Sequence, residues 1–314
     1  MSSTAASAAA EAPLRIVAGP TGAGKSALAL AIAERHGAVI ISADSRQGYK
    51  GFDLGTAKPT AEERSRVRHE GIDVADPSQR WSAARFASDA VGWITEAEAR
   101  NQPALVVGGT GLWIRALVRP LADEPPMDPA SRRQLEAALA TITTGELRRW
   151  VETLDPPRAK LGRVQLLRAI EIALLTGTRA SDWHAAGEAK PRLAARWVIV
   201  DPGEELHVRQ AQRFDAMLAS GWADEVRALR TAVPTDAPAW NACGYLAVLA
   251  WVEGRSSLDE ARDAVLASTR QYAKRQRTWF RNQLGEEPAV LRLDPRDGDA
   301  LERADRWLFD GEHA

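Results

Sequence analysis

Residues 19–26 read Gly-Pro-Thr-Gly-Ala-Gly-Lys-Ser, the spacing G-x-x-x-x-G-K-[ST] of a phosphate-binding loop. The motif has meaning only between a strand and a helix, and it stands there. The apolar run Leu14–Ala18 (LRIVA) precedes it, and a helical pattern with Leu28 and Ile32 on one face follows, with Gly37 just past its end. Such a loop turns backbone N–H groups toward phosphate oxygens, and the helix N-terminus adds partial positive charge. Gly19, Pro20, Thr21, Gly22, Ala23, Gly24, Lys25 and Ser26 are therefore the candidate phosphate ligands. Lys25 supplies a full charge, and the Ser26 hydroxyl is the position for Mg²⁺.

Two further buried strands are predicted, at 38–42 (AVIIS) and 104–107 (ALVV), with a helix from Ser82 to Arg100 between them. Strand, loop and helix in repetition imply a parallel sheet covered by helices. Four prolines then crowd residues 120–129, and only helical periodicity follows up to Pro191, clearest at 164–176 with Gly177 as its stop. Residues 196–200 (RWVIV) return to strand character, and helices are predicted near 204–219, 221–231, 240–253 and 258–283. The fold class is α/β: a P-loop NTPase-like parallel sheet flanked by helices, with an inserted all-helical domain. The expected divisions are a disordered tail at 1–13, core at 14–120, helical insertion at 121–192 and core again at 193–314.

The 314 residues carry 41 Lys and Arg against 42 Asp and Glu, so any nucleic-acid contact must come from a local patch rather than from overall charge. A single cysteine, Cys243, fits a reducing compartment. No apolar run approaches the ~18 residues of a membrane helix, and the first dozen residues lack the pattern of a signal peptide. A cytoplasmic protein with no membrane partner is expected.

Asp44 follows the second strand directly. Ligands of open parallel sheets sit at the carboxyl ends of strands, so Asp44 reads either as a base beside the loop or as an Asx turn. Asp201, after the run Trp197-Val-Ile-Val, reads as a metal-holding acid or as a turn before Pro202 and Gly203. In the segment 269–281 (TRQYAKRQRTWFR) no acid appears, and at about 100° per residue Arg270, Lys274, Arg277 and Arg281 share one sector. Val265, Tyr272, Gln276 and Trp279 lie opposite, as a packing face. Four cations in register suit a phosphate backbone or a diphosphate.

These segments together resemble the tRNA dimethylallyltransferase family, in its bacterial type without the zinc-finger tail of eukaryotic members. The resemblance rests on residues 19–26, 44–59 (DSRQGYKGFDLGTAKP), 69–77 (HEGIDVADP), 108–117 (GGTGLWIRAL), 168–171 (RAIE), Gly244-Tyr245 and 269–281. It implies transfer of a dimethylallyl group from dimethylallyl diphosphate to the N6 amine of the adenosine 3′ of the anticodon in tRNA. By the same resemblance Thr21, Lys25, Ser26 and Mg²⁺ stabilise the departing diphosphate, and Asp44 is the base or the group that orients the amine. Arg213 is implied to contact the diphosphate. Asp44, Ser45, Arg46, Gln47, Thr110, Arg132 and Arg168 are implied to lie near tRNA, with Arg270, Lys274, Arg277 and Arg281 on its backbone and 121–192 as a tRNA clamp. A monomer is expected.

The sequence departs from the family pattern at Val164-Gln165, Leu246, Trp113 and Glu70. None touches the loop or Asp44, so altered tRNA affinity with unaltered chemistry is expected. Two other enzymes share the loop and Asp44: a small-molecule kinase using Asp201 on its metal, and an isopentenyltransferase acting on free adenine nucleotides. An RNA-binding nucleotide sensor is a third alternative.

Overall fold

The structure, a computed structural model, describes residues 12–119, 125–187, 193–285 and 289–311. Residues 1–11 of the tail expected at 1–13 and the boundary positions 120, 121 and 192 lie outside the described residues. Two compact units are resolved, one formed by 1–118 with 193–314 and the other by 119–192.

The larger unit is built on a six-stranded sheet: β1 Leu14–Ala18, β2 Val39–Ser42, β3 His69–Glu70, β4 Ala104–Gly108, β5 Ala195–Val200 and β6 Val290–Leu293, in the order β3-β2-β4-β1-β5-β6. All five pairings are parallel. Its helices are α1 Lys25–His36, α2 Ala61–Arg66, α3 Ala83–Ala99 and α4 Gly111–Val118. The smaller unit contributes α5 Pro129–Leu139, α6 Thr144–Leu154, α7 Arg163–Thr176 and α8 Ala180–Gly187. The larger unit resumes with α9 Leu206–Ala219, α10 Trp222–Ala232, α11 Tyr245–Val252, α12 Leu258–Gln283 and α13 Ala300–Phe309. Parallel strands covered on their faces read as continuous apolar runs, and Ile16, Val17, Ile41, Leu105, Val106 and Val198 are fully buried.

β3 and β6 escape the sequence pattern. β3 has two residues, and β6 (VLRL) is an edge strand whose Arg292 faces outward. The central β1 places the loop 19–24 between the ends of its neighbours β4 and β5. That spot admits only glycine at position 19: its φ is +149°, and a Cβ there would stand 2.1 Å from Val200 O.

The long segment after Asp44 is a braced loop. Lys58, its side chain 4% exposed, donates to Tyr49 O and pairs with Asp53 and Asp73. Glu225 of α10 accepts the N–H groups of Asp53 and Leu54, and the Tyr245 hydroxyl donates to Glu225 while accepting from Gly55 N–H. Burial and the Glu225 charge push the Tyr245 phenol far above its ordinary value. The run Gly51–Pro59, which has no chemical meaning by itself, thus acts as scaffold for the strand-end loop that carries Asp44.

In the smaller unit, Leu139, Leu147, Val151, Leu166, Ile170 and Ile172 form the core. Asp128 caps α5, and a Thr143–Glu146 capping box opens α6.

Candidate active site

The loop closes on α1 through Gly24, whose φ of +96° turns the chain into the helix. Lys25 Nζ donates to Pro20 O at 2.7 Å, doubling back over its own loop. The first-turn amides of α1 have no intrahelical acceptor, which leaves them for an anion. Loss of solvation lowers the Lys25 ammonium to about 8, with Asp44 and Asp201 opposing the shift and Arg213 adding to it.

Asp44 forms the Asx turn that its position allows, and it stands at a pocket as well. Its Oδ1 accepts Arg46 N–H at 2.9 Å, an Asx turn. The residue lines a pocket together with Thr21, Gly22, Arg46, Gln210, Arg213 and Tyr272. Its charge is felt by Lys25, by Arg213 and by Tyr272. Burial lowers Arg213 against the pull of Asp44, and burial raises the Tyr272 phenol to about 12. Phe214, Met217, Trp222, Val265 and Leu266 give the rest of the wall an apolar stretch, interrupted by Thr56, Cys243 and Thr269. The pocket therefore pairs a cation-rich, loop-lined part with an apolar lining and one carboxylate.

Thr110 ties the far side together. Its Oγ1 accepts Ser45 N–H at 3.2 Å and lies 3.5 Å from the Tyr272 hydroxyl. Gln47 does not face the pocket lining: its amide accepts from Ser42 and donates to the carbonyls of Thr56 and Ala57, so it braces the loop. Tyr272, read from the sequence only as a packing residue, brings a hydroxyl to the pocket, and Met217, Trp222 and Gln210 join it with no sequence signal beyond helical spacing.

The stripe of four equivalent cations needs correction. Arg270, Lys274 and Arg281 are exposed on α12. Arg277 instead grips Asp201 with two nitrogens, at 2.8 and 2.5 Å, and donates to Gly203 O. Asp201 Oδ1 also accepts Gly203 N–H, so the turn reading of Asp201 holds and both its oxygens are engaged. Arg277 and Arg281 line a second cleft with Pro20, Asp201 and Arg292.

Arg132 and Arg168 belong to the smaller unit. Both converge on Glu171 Oε2, at 3.3 and 3.0 Å, and Glu171 is 5% exposed. Val164 is 75% exposed there, whereas Trp113 is buried in an aromatic cluster with Trp81 and Phe86. Leu246 is exposed, and Glu70 pairs with Arg68. Among the described residues no group of three or more His, Cys, Asp or Glu could hold a metal by itself, and no helix is long and apolar enough to cross a membrane.

A parallel α/β sheet with a phosphate-loop sequence at the end of its central strand, beside a carboxylate in a partly apolar pocket, defines the P-loop NTPase-like class of fold. Residues 47–283 match the sequence model of the IPP transferase family, and residues 12–76 match that of isopentenyl transferase. The chain belongs to the IPP transferase family. It is 40% identical over 309 residues to the tRNA dimethylallyltransferase of Alkalilimnicola ehrlichii, covering 95% of this chain and 96% of that one. Identity to the tRNA dimethylallyltransferase of Bordetella parapertussis is 41%, with coverage of 91% and 94%. The full-length tRNA isopentenylpyrophosphate transferase of Bacillus halodurans superposes with a TM-score of 0.66 at 32% identity, covering 93% and 94%. A eukaryotic dimethylallyltransferase acting on tRNA shares the fold, with a TM-score of 0.73 at 24% identity over 93% of this chain and 77% of that one.

Proposed function

We propose that this chain transfers a dimethylallyl group from dimethylallyl diphosphate to the N6 amine of the adenosine 3′ of the anticodon in tRNA, releasing diphosphate. The observation that carries the reading is Asp44 and Thr21 on one pocket wall, with Arg213 beside them and Lys25 within electrostatic reach. The diphosphate occupies residues 19–26, where Lys25, the first-turn amides of α1 and Arg213 meet the charge that develops as the allylic C–O bond breaks. N6 then bonds to that carbon, and the proton it loses passes to the Asp44 carboxylate and from there to water. An aryl amine is a weak nucleophile, so ionisation of the donor leads. Phe214, Met217 and Trp222 suit the apolar five-carbon group.

Stacked bases must be pulled out to reach such a pocket. We assign the helical unit as the tRNA clamp, with Arg132 and Arg168 held ready by Glu171, and Arg270, Lys274 and Arg281 as backbone contacts. Ser45, Arg46 and Thr110 lie near the entering nucleotide. Gln47, internally committed, supports this wall from behind. A cytoplasmic monomer completes the assignment.

Mg²⁺ fits as a partner of the diphosphate rather than as a resident ion. Ser26 is exposed in the first turn of α1, and no full ligand cage stands among the described residues. Such sites leave most positions to phosphate oxygens and water. When bound, the ion would neutralise charge on the leaving diphosphate. Asp201, spent on Arg277, is not offered to a metal, which counts against the kinase alternative. An enzyme for free adenine nucleotides would have no use for the helical unit or the exposed cations.

The test is direct. Purified protein with dimethylallyl diphosphate, Mg²⁺ and unmodified tRNA is expected to yield adenosine carrying an added C5 unit by nucleoside mass spectrometry. ATP turnover without such a product would defeat the reading.

The lowered Lys25 value has a readable sign. In the free protein Lys25 is charged below about 8 and neutral above it. A bound diphosphate favours the ammonium and raises that value. Diphosphate affinity is therefore expected to weaken as pH rises through about 8, with proton uptake on binding in that range. Calorimetry in buffers of different ionisation enthalpy measures the uptake, and Lys25→Met is expected to abolish it.

A further inference from the structure

Thr21, in the middle of the phosphate loop, is suspended between two buried glutamines. Its N–H donates to Gln276 Oε1 at 2.8 Å, and its carbonyl accepts from Gln210 Nε2 at 3.1 Å. Gln276 Nε2 also donates to Gly109 O at 2.8 Å. The two side chains are 5% and 4% exposed. An apolar residue at 276 would fill the same space without a buried amide to satisfy, so packing alone does not call for glutamine.

The surrounding glycines make room for this contact. A Cβ on Gly109 would stand 2.3 Å from Gln276 Nε2, and one on Gly111 would stand 2.2 Å from Trp279. The stretch Gly108-Gly-Thr-Gly111 thus lets α12 lie directly against the loop. One residue further along α12, Arg277 holds Asp201 in the cleft that Pro20 also lines. The helix is tied to both flanks of the cradle.

We propose that Gln276 is a positioning residue for the diphosphate: by fixing the Thr21 peptide it holds the loop in the shape that accepts the anion. This rests on the reading of residues 19–26 as a diphosphate site. Gln276 itself touches no substrate; it acts through Thr21. Because Thr21 N–H is spent on Gln276, the anion is left to the amides that follow and to Lys25.

The probe is inorganic pyrophosphate with Mg²⁺, titrated into the full-length protein. Gln276→Leu is expected to raise its dissociation constant about tenfold or more, the size of a lost buried hydrogen bond. The KM for dimethylallyl diphosphate should rise alongside, with kcat at saturation within about three-fold. Gly109→Ala, which displaces Gln276 without removing it, is expected to reproduce the defect. Gln283→Leu, on the same helix as Gln276 but losing only an exposed hydrogen bond from Arg115 of α4, should leave pyrophosphate binding unchanged. A lowered melting temperature with intact pyrophosphate affinity would make Gln276 a packing residue and overturn the proposal. Should both variants fail to fold, hydrogen exchange in the unaltered protein decides: a protected Thr21 amide supports the assignment, and a freely exchanging one ends it. An unaltered protein that binds no pyrophosphate brings down the site reading as well, a result distinct from binding that ignores position 276.

Discussion

Asp44→Asn is expected to lower kcat by at least ~10²-fold while tRNA affinity stays within about two-fold. Asparagine keeps a side-chain oxygen where Asp44 Oδ1 accepts Arg46 N–H, so the Asx turn stands and only the charge and basicity go. That separates the two readings of this residue better than alanine, which removes both. A variant with near-normal kcat would make Asp44 a turn residue and nothing more. A collapse of tRNA binding with little change in kcat would equally remove it from the chemistry. The substitution has a second signature. Asp44 is one of the charges that raise Lys25 against desolvation. Without it Lys25 titrates lower, so the alkaline fall in diphosphate affinity is expected to begin at lower pH than in the unaltered protein.

Much of this arrangement was legible in the chain, for physical reasons that differ by element. The phosphate loop announces itself because glycines at fixed spacing are the only residues its turns accept, as the clash at Gly19 with Val200 shows. β1, β2, β4 and β5 are continuous apolar runs, because a covered parallel strand is buried on both faces. α12 begins at a capping box and reads cleanly from Leu258 to Gln283. The losses are equally instructive. Helical spacing reveals which residues share a face but not what the opposing face holds. It put Tyr272 and Gln276 on a packing side, where one meets Thr110 beside Asp44 and the other grips Thr21. It also put Arg277 level with Arg270, Lys274 and Arg281, blind to an aspartate 76 residues away at the end of β5. β6 was missed because an edge strand with an outward arginine carries too short an apolar signal. Residues 51–59 matched the family closely while their purpose, a buried Lys58 and a Glu225–Tyr245 brace, needed contacts from distant helices.

Replacing Arg270, Lys274 and Arg281 together by Gln is expected to weaken tRNA binding by about 10- to 100-fold near physiological salt, and to reduce the slope of log affinity against log salt by roughly two to three. Each exposed cation that neutralises a phosphate releases close to one counterion, so the slope counts contacts directly. These three side chains stand in solvent on one helix, so their loss removes charge without leaving a buried partner orphaned. The kcat at saturating tRNA should be little changed, because none of them lines the pocket that holds Asp44. Arg277→Gln makes the contrast. It frees Asp201 beside Pro20, and the new negative charge next to the cradle is expected to raise the KM for the diphosphate donor while leaving the salt slope alone. The two variants therefore separate along different axes, one in salt dependence and the other in donor affinity. If the triple variant kept its slope, the RNA backbone would have to lie elsewhere on the molecule. If Arg277→Gln flattened the slope, its grip on Asp201 would have to open when tRNA binds, returning Arg277 to the phosphate contacts that its helical register first suggested.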